Sequence, residues 1–381
     1  MKQGDVLNGY AVTTKPTNAG GGKCVWAFAT RGGQEFFIKE FLEPKWPLDT
    51  SPGSAASKER RRADCLAFEQ RHEHVMDRLK SDAVGGGNIV TAEAFFRDGT
   101  TYYKVTKRID PSNLTTLAPL STHQKAVVLR TLALSLQQLH KINVVHGDLK
   151  PDNVLVQKRP GRDLYTAKLI DFDDSYLAGQ PPDPGTVGGD TLYGAPEWLD
   201  YIRDGTGTDG AALTTAVDMF ALGLMVHEYL TGQRPGFPPA FSSPADAVRA
   251  GQRVTTNPLL HPDMQHLVLT LTDGRPRRRP QVEAFLDAMD EESVLEYPSS
   301  VTGHRTGRPS GGRPSAGRGS RLQINMGPGR GTSPGTGGLP APRPSPGLLP
   351  APDAERAEPE SRPSRVRFHL DGRPPAAPPP E

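Results

Sequence analysis

The sequence predicts a two-lobed α+β fold, in which a small β-rich lobe precedes a larger helical lobe and a disordered tail. Segments rich in aromatic and β-branched residues crowd the first 107 residues, as short strands require, and stretches with helical periodicity follow them. The last ninety or so residues are rich in Pro, Gly, Ser and Arg and offer few apolar groups to offset chain entropy. We therefore predict lobes over residues 1–107 and 108–292 and a disordered tail over 293–381.

Composition and charge exclude several functional classes. The ordered part, about 290 of the 381 residues, is long enough to bury a sizeable core. The net charge of +2 is too small to indicate a nucleic-acid partner. No run of about 18 apolar residues occurs and MKQGDVLNGY lacks an apolar stretch, so we expect neither a membrane span nor a signal peptide. Two cysteines, Cys24 and Cys65, give no disulfide framework, which favours a cytoplasmic location.

Alternating and aromatic-rich segments predict the strands of the small lobe, near residues 6–14, 23–30, 34–42, 89–97 and 101–107. Gly32 and Gly33 turn the chain between the second and third strands. Lys39 lies in the apolar run QEFFIKEF, where an unsatisfied polar group costs on the order of 2 to 7 kcal/mol and an unpaired charge costs more. Lys39 therefore needs an anion and a carboxylate.

A long helix is predicted from about residue 57 to residue 79. Its apolar positions recur at helical spacing, and they are Cys65, Phe68, Val75, Met76 and Leu79. Glu69 lies one turn beyond Cys65 and is our choice for the ion pair with Lys39. Glu73 is the second choice, and a solvated surface charge is the plain alternative for both.

A glycine-rich segment, TNAGGGKCVWAFA, lies between two predicted strands. Gly20, Gly21 and Gly22 lack Cβ atoms and would let backbone amides approach a phosphate group. A Walker A loop fits poorly because Cys24 replaces its Ser or Thr. The plain alternative is a hairpin turn.

The segment VVHGDLKPDNVLV, residues 144–156, carries the most specific chemical signal. Phosphoryl transfer needs a carboxylate to receive the hydroxyl proton and an oxygen ligand for magnesium. Asp148 and Asn153, five residues apart, supply both. The segment resembles the catalytic loop of the protein kinase family, and Lys150 resembles the lysine that the Ser/Thr branch uses to balance phosphate charge.

Other segments extend the resemblance in chain order. KLIDFDD resembles the DFG segment, which implies that Asp171 is a magnesium ligand and that Phe172 packs beside it. Lys39 resembles the lysine that contacts the α and β phosphates. The strand from 101 to 107 would then lead into a hinge at 107–111. The residues implied to border the nucleotide there are Thr106, Lys107 and Arg108.

The predicted helices of the large lobe carry further matches. One helix starts at a capping box of Ser121 and Gln124, and a buried helix, TTAVDMFALGLMVHEYLTG, stops at Gly232. The resemblance implies that Asp218 holds the catalytic loop backbone, although an acid that satisfies the helix dipole is the plain alternative. The structural residues implied by the family are His146, Phe172, Glu197 of YGAPEW, Asp218 and Arg279, with Arg279 paired to Glu197.

Three departures from the family pattern affect the site. Gly147 replaces the arginine of the HRD motif, and Asp173 replaces the glycine of DFG, which tolerates unusual φ and ψ. Asp190 or Thr191 stands where the family has a substrate-facing threonine. The HGDL and IDFDD motifs also resemble aminoglycoside and choline phosphotransferases.

The chain is identified as a bacterial-type Ser/Thr protein kinase, with the resemblance covering roughly residues 8 to 290. This implies the two-lobed protein kinase fold, ATP with Mg²⁺ or Mn²⁺ as cofactors, and protein substrates that carry Ser or Thr. A von Willebrand A-type protein and a metal-dependent phosphatase are the partners that it suggests. A small-molecule phosphotransferase and a pseudokinase scaffold are the alternatives.

Overall fold

The computed structural model describes residues 1–19, 22, 24–81, 88–204 and 209–296. The predicted disorder of the tail lies outside the described residues from 297 onward. The predicted boundary at residue 293 falls inside a short 3-10 helix, Glu292–Leu295, whose Val294 and Leu295 are buried in the core of the large lobe. The large lobe therefore extends through this helix. None of the helices in the described ranges has the length and apolar character needed to cross a bilayer.

The small lobe contains a six-stranded antiparallel sheet in the order β1-β2-β3-β4-β6-β5. Its strands are β1 (Val6–Leu7), β2 (Tyr10–Val12), β3 (Cys24–Arg31), β4 (Gln34–Phe41), β5 (Ala92–Asp98) and β6 (Thr101–Lys107). The predicted turn at Gly32 and Gly33 is confirmed, and both residues have positive φ, as a primed hairpin turn requires. The strand predicted over 6–14 is divided because Asn8 and Gly9 have φ of 47° and 81°.

The two faces of the sheet have different roles. Phe36 and Ile38 of β4 pack with Tyr103 and Val105 of β6 in a hydrophobic cluster on one face. Since successive side chains of a strand alternate, Lys39 lies on the other face, and it lines the cavity between the lobes. The register places Lys39 directly opposite Lys104.

Helix α1 (Ala55–Ser81) packs against the sheet. The predicted apolar stripe is largely confirmed, since Cys65, Phe68, Val75 and Leu79 are buried. His72 is also buried on this stripe, although the apolar pattern did not include it. Cys65 and Phe68 form a second cluster with Cys24, Phe41 and Tyr102.

The large lobe is mainly helical. Its helices are α2 (Thr122–Lys141), α3 (Pro196–Asp204), α4 (Ala216–Thr231), α5 (Pro244–Arg249), α6 (Pro262–Leu271) and α7 (Val282–Ala288). The capping box of Ser121 and Gln124 is confirmed at the start of α2. Gly232 ends α4 in the left-handed conformation, as predicted.

Two short two-stranded sheets lie on either side of the segments 146–153 and 170–175 in the chain. The strands are β7 (Val144–Val145), β8 (Val154–Lys158), β9 (Tyr165–Leu169) and β10 (Tyr176–Leu177), paired as β7 with β10 and β8 with β9. The predicted strand at 89–97 starts later, at Ala92, because Ile89 forms a bridge with Leu169 of β9 instead. This bridge connects the small lobe to the large lobe beside the site.

A buried ion pair fixes the start of α3. Arg279 donates from Nη1 and Nη2 to the two carboxylate oxygens of Glu197, over 2.6 and 2.8 Å. The same guanidinium donates to the carbonyl oxygens of Ala216 and Asp273, each over 2.8 Å. Arg279 therefore ties α3, the start of α4 and the segment after α6 together.

We predict that Arg279→Met lowers the free energy of unfolding by about 3 to 5 kcal/mol, because it leaves the buried Glu197 carboxylate without its cation. Urea denaturation monitored by circular dichroism measures this loss. Arg278→Met, at an exposed neighbouring position, is the control, and its effect should stay within about 0.5 kcal/mol. A loss for Arg279→Met as small as that of the control would contradict the role of the pair.

Candidate active site

Asp218, near the start of α4, holds the backbone of the loop that follows β7. Asp218 is 1% exposed, and its carboxylate accepts hydrogen bonds from the N–H groups of His146, over 2.9 Å, and Gly147, over 3.1 Å. The Nε2 atom of His140 lies 3.0 Å from the same carboxylate. Asp218 thus fixes the loop from a rigid helix, in the manner that the sequence resemblance implied.

His146 connects this loop to the end of β9. Its Nε2 lies 3.0 Å from the carbonyl oxygen of Ile170, and its Nδ1 lies 3.4 Å from the N–H of Asp148. Because a carbonyl only accepts, Nε2 carries the hydrogen and Nδ1 accepts. The ring also packs against Phe172, with 5.2 Å between centroids. His146 therefore joins the loop to the segment after β9 by hydrogen bonds, and Phe172 packs against its ring.

The glycine at position 147 is required by the backbone. Gly147 has φ of +79°, and a Cβ atom there would lie 2.6 Å from the carbonyl oxygen of Asp174 and 3.1 Å from the Tyr176 ring. The loop passes too close to the following segment to accept a side chain. The backbone at this position therefore excludes an arginine, the residue that the HRD motif has there.

Asp148 lies at the centre of a compact polar cluster. The Lys150 ammonium lies 3.1 Å from Oδ2 of Asp148 and 3.3 Å from Oδ2 of Asp190. Asn153 donates from Nδ2 to the carbonyl oxygen of Asp148, over 2.7 Å, and to its Oδ2, over 3.0 Å. The structure therefore brings together Asp148, Lys150 and Asn153, and it adds the carboxylate of Asp190.

Two carboxylates from the segment after β9 bind the lysine of β4. Lys39 Nζ lies 2.8 Å from Oδ1 of Asp171 and 2.7 Å from Oδ2 of Asp173. Burial alone would lower the pKa of Lys39, but these two carboxylates raise it above its ordinary value. Lys39 is therefore a cation at neutral pH.

Asp173 also binds a second lysine. Lys104 Nζ lies 2.8 Å from Oδ1 of Asp173. Burial alone would raise the pKa of Asp173, but Lys104 and Lys39 hold it well below its usual range. The unusual backbone conformation lies at Asp171, which has φ of 63°, and Asp173 is not among the described residues with positive φ. An aspartate at position 173 therefore causes no left-handed strain.

The predicted ion pair between Lys39 and Glu69 is wrong. Glu69 accepts a hydrogen bond from the Tyr102 hydroxyl, over 2.7 Å, and lies 3.8 Å from Arg97. It lies at the edge of the buried stripe of α1, where it faces β5 and β6 rather than the lysine. Glu73, the second choice, is exposed. The side chain of α1 that faces this cluster is His72, whose Nε2 lies 3.8 Å from Oδ1 of Asp173.

A cavity of about 300 Å³ lies between the lobes. Its aromatic lining residues are Trp26, Phe28, Phe37 and Phe172. Its charged and amide lining residues are Lys39, Lys104, Lys107, Lys150, Asp152, Asn153, Asp171 and Asp173. Thr106 and Lys107 line the edge formed by β6 and the segment after it. The cavity has the size and mixed character of a small-molecule site.

Two of the predicted nucleotide contacts differ. Arg108 does not line the cavity, because its N–H donates to the carbonyl oxygen of Glu35 and its guanidinium lies over the Phe28 ring. Gly22 is exposed and has φ of 56°, and it is not a lining residue. Gly20 and Gly21 lie outside the described residues.

Comparison with known proteins gives the family. A sequence-family model described as "Protein kinase domain" matches residues 62–289, more than half of the chain. The chain belongs to the protein kinase family. The match begins within α1, so β1 to β4 and Lys39 lie before it.

Curated relatives agree with this family membership. The chain is 28% identical over 218 residues to the Serine/threonine-protein kinase ULK3 of Homo sapiens, which covers 56% of this chain and 41% of the relative. It is 35% identical over 118 residues to Serine/threonine-protein kinase Pkn1 of Myxococcus xanthus, which covers 31% of this chain and 16% of the relative. It is 25% identical over 189 residues to Serine/threonine-protein kinase pkn3 of the same organism, which covers 46% of this chain and 33% of the relative. The chain spans less than half the length of each of these relatives.

This member of the protein kinase family has donors that fit a magnesium ion. Asn153 uses Nδ2 for both of its hydrogen bonds to Asp148, which leaves its amide oxygen for a metal. Asp171 also lines the cavity and adds a carboxylate, and the N–H of its neighbour Ile170 donates to the carbonyl oxygen of Asn153 over 3.0 Å. No group of three or more His, Cys, Asp or Glu side chains in the described part of the chain is arranged to hold a metal. Magnesium commonly takes one or two protein ligands and completes its shell with phosphate and water, so this small donor set suits it.

Four features of this kinase-family site were not predicted from the sequence: Lys104, His72, the contact of Asp190 with Lys150, and the aromatic lining of the cavity. Lys104 lies in the apolar strand TYYKVTK, where a charge needs a partner for the same reason as at Lys39. His72 lies four residues beyond Phe68 on the apolar stripe of α1. No signal in the sequence indicated that Asp190 contacts Lys150 or that the aromatic side chains line the cavity.

We predict that Gly147→Ala lowers the free energy of unfolding by at least about 1 kcal/mol, because a left-handed residue with a Cβ costs roughly 1 to 2 kcal/mol and the contact with Asp174 adds to this cost. Gly185→Ala is the matched control, since a Cβ there meets no atom within 4 Å. Denaturant titration of both variants measures the difference. Equal stability of the two variants would show that the loop accepts a side chain at position 147.

Proposed function

We propose that this protein is a Ser/Thr protein kinase that transfers the γ-phosphate of ATP to Ser and Thr hydroxyls of protein substrates. The main support for the proposal is that Lys150, Asn153 and Asp171 line the cavity between the lobes and that Asp148 contacts both Lys150 and Asn153. Phosphoryl transfer depends mainly on such positioning and on electrostatic stabilisation of the phosphoryl group.

Asp148 is the residue that receives the proton of the acceptor hydroxyl. Its carboxylate is held in one orientation by Lys150 and Asn153, which restrict it to a single approach direction. A positioned base of this kind contributes typically 10²- to 10⁴-fold to the rate. Lys150 also places a positive charge beside Asp148, where it can stabilise the negative charge of the phosphoryl group during transfer.

Asn153 and Asp171 would hold the magnesium ion, which supplies charge neutralisation for the phosphates when bound. Lys39 provides a fixed cation at the same end of the cavity, in the role that the family assigns to the lysine of this strand. Trp26, Phe28 and Phe37 offer aromatic faces on which a purine base can stack, and Thr106 and Lys107 lie at the polar edge.

Two observations favour a protein over a small-molecule acceptor. Glu197 and Arg279 form the buried pair that anchors the segment after the metal site, and that pair belongs to the protein kinase pattern. The three relatives compared above are named as serine/threonine-protein kinases. The intact cluster around Asp148 and Lys39 likewise favours an active enzyme over a scaffold.

The cellular setting is a further part of the proposal. Similarity to two kinases of Myxococcus xanthus supports a role in bacterial signalling. Cys24 and Cys65 are both buried and neither forms a disulfide, as suits a protein of the reducing cytoplasm. The suggested partners, a von Willebrand A-type protein and a metal-dependent phosphatase, rest on the family resemblance alone.

We predict that Asp148→Asn reduces turnover about 10²- to 10⁴-fold with little change in ATP affinity, because it removes the base and leaves the nucleotide contacts. Transfer of labelled phosphate to myelin basic protein measures turnover, and calorimetry with Mg·ATP measures affinity. Lys39→Met and Asp171→Asn should instead weaken the nucleotide complex.

The same assay separates the alternatives. Transfer to an aminoglycoside or to choline, with none to protein, would indicate a small-molecule phosphotransferase. Binding of Mg·ATP with no transfer to any acceptor would indicate a pseudokinase. Equal turnover by Asp148→Asn and the unmodified protein would overturn the assignment of Asp148.

A further inference from the structure

Two lysines on neighbouring strands line the cavity between the lobes. Lys39 of β4 and Lys104 of β6 are direct partners in the antiparallel register, and each is 8% exposed. Like charges at directly opposed positions destabilise a sheet, and burial increases this repulsion because water screens it less. The pair therefore requires a carboxylate between the two ammonium groups.

Asp173 supplies that carboxylate. Its Oδ2 lies 2.7 Å from Lys39 and its Oδ1 lies 2.8 Å from Lys104, so each oxygen serves one lysine. Asp173 is 6% exposed, which makes both contacts well shielded from water. With Asp171, the cluster has two cations and two anions and is formally neutral.

Helix α1 contributes no carboxylate to this cluster. The α1 side chain that faces Asp173 is His72, and its ring lies 4.2 Å from the Phe68 ring and 4.9 Å from the Phe95 ring between centroids. Its Nδ1 lies 3.0 Å from the carbonyl oxygen of Phe68. His72 is therefore held by aromatic packing and one backbone contact, and Glu69 faces Tyr102 instead.

We infer that Asp173 is the positioning residue for Lys39, and that Lys104 is present to balance the charge of Asp173. This inference rests on the proposed function, because it assigns Asp173 to the orientation of a lysine that binds nucleotide phosphate. Lys39 binds two carboxylates, so it keeps Asp173 when Asp171 serves the metal. The lysine is thus oriented from the segment next to the metal ligand and needs no acid from α1.

The test compares Asp173→Asn, Lys104→Met and the double variant. Calorimetry in the presence of magnesium gives the affinities for ATP and for adenosine, which has no phosphate. We expect Asp173→Asn to weaken ATP binding at least tenfold and to change adenosine binding less than twofold, because only the phosphate contact depends on Lys39. Equal losses for ATP and adenosine would mean that Asp173 only maintains the fold, and the inference would be wrong.

Urea denaturation without nucleotide tests the charge balance. Asp173→Asn leaves two opposed lysines with one carboxylate, so its urea midpoint should fall clearly. Adding Lys104→Met should restore most of that midpoint without restoring ATP affinity, since the repulsion is removed but Lys39 still lacks its anchor. Strictly additive effects on the midpoint would contradict the pairing of Asp173 with Lys104.

Two further variants and the unmodified protein complete the design. Glu69→Gln and the exposed Glu73→Gln should each leave ATP affinity within twofold, and a tenfold loss for either would return the anchoring role to α1. If the unmodified protein fails to bind Mg·ATP, the proposed function fails, while the urea series still decides the pairing of Asp173 with Lys104. If it binds and Asp173→Asn binds equally well, the function stands and the inference fails.

Discussion

The site depends on one electrostatic constraint: two lysines on neighbouring strands must share carboxylates from another part of the chain. Lys39 and Lys104 belong to the small lobe, whereas Asp171 and Asp173 follow β9 of the large lobe. The buried contacts between them therefore cross the cavity and join the lobes at the place where phosphate is proposed to bind. Breaking such a cluster by removing one member leaves an uncompensated buried charge, which explains why all four residues form a unit.

A second set of contacts fixes the loop after β7 relative to that cluster. Asp218 binds the loop backbone from α4, and His146 reaches across to Ile170 beside Asp171. The loop then approaches the following segment so closely that only glycine fits at position 147. The missing arginine and the added Asp173 thus have different causes, since one follows from backbone contact and the other from charge balance.

Much of this arrangement could be predicted from the sequence, because local signals carried it. The turn at Gly32 and Gly33, the capping box of Ser121 and the end of α4 at Gly232 depend on residues close in the chain. The partner of Lys39 could not be found in this way. Helical spacing indicates which residues share a face of α1, but it does not indicate which face meets the lysine. The observed partners, Asp171 and Asp173, are 132 and 134 positions away in the chain.

The most direct measurement is a crystal structure of the protein without nucleotide at neutral pH, interpreted at the positions of Lys39, Lys104 and Asp173. We predict that both ammonium groups lie within about 3.2 Å of the Asp173 carboxylate, as normal hydrogen bonds require. We also predict that Glu69 lies beside Tyr102. A structure in which Lys39 binds Glu69 or Glu73, with Asp173 exposed to solvent, would contradict it.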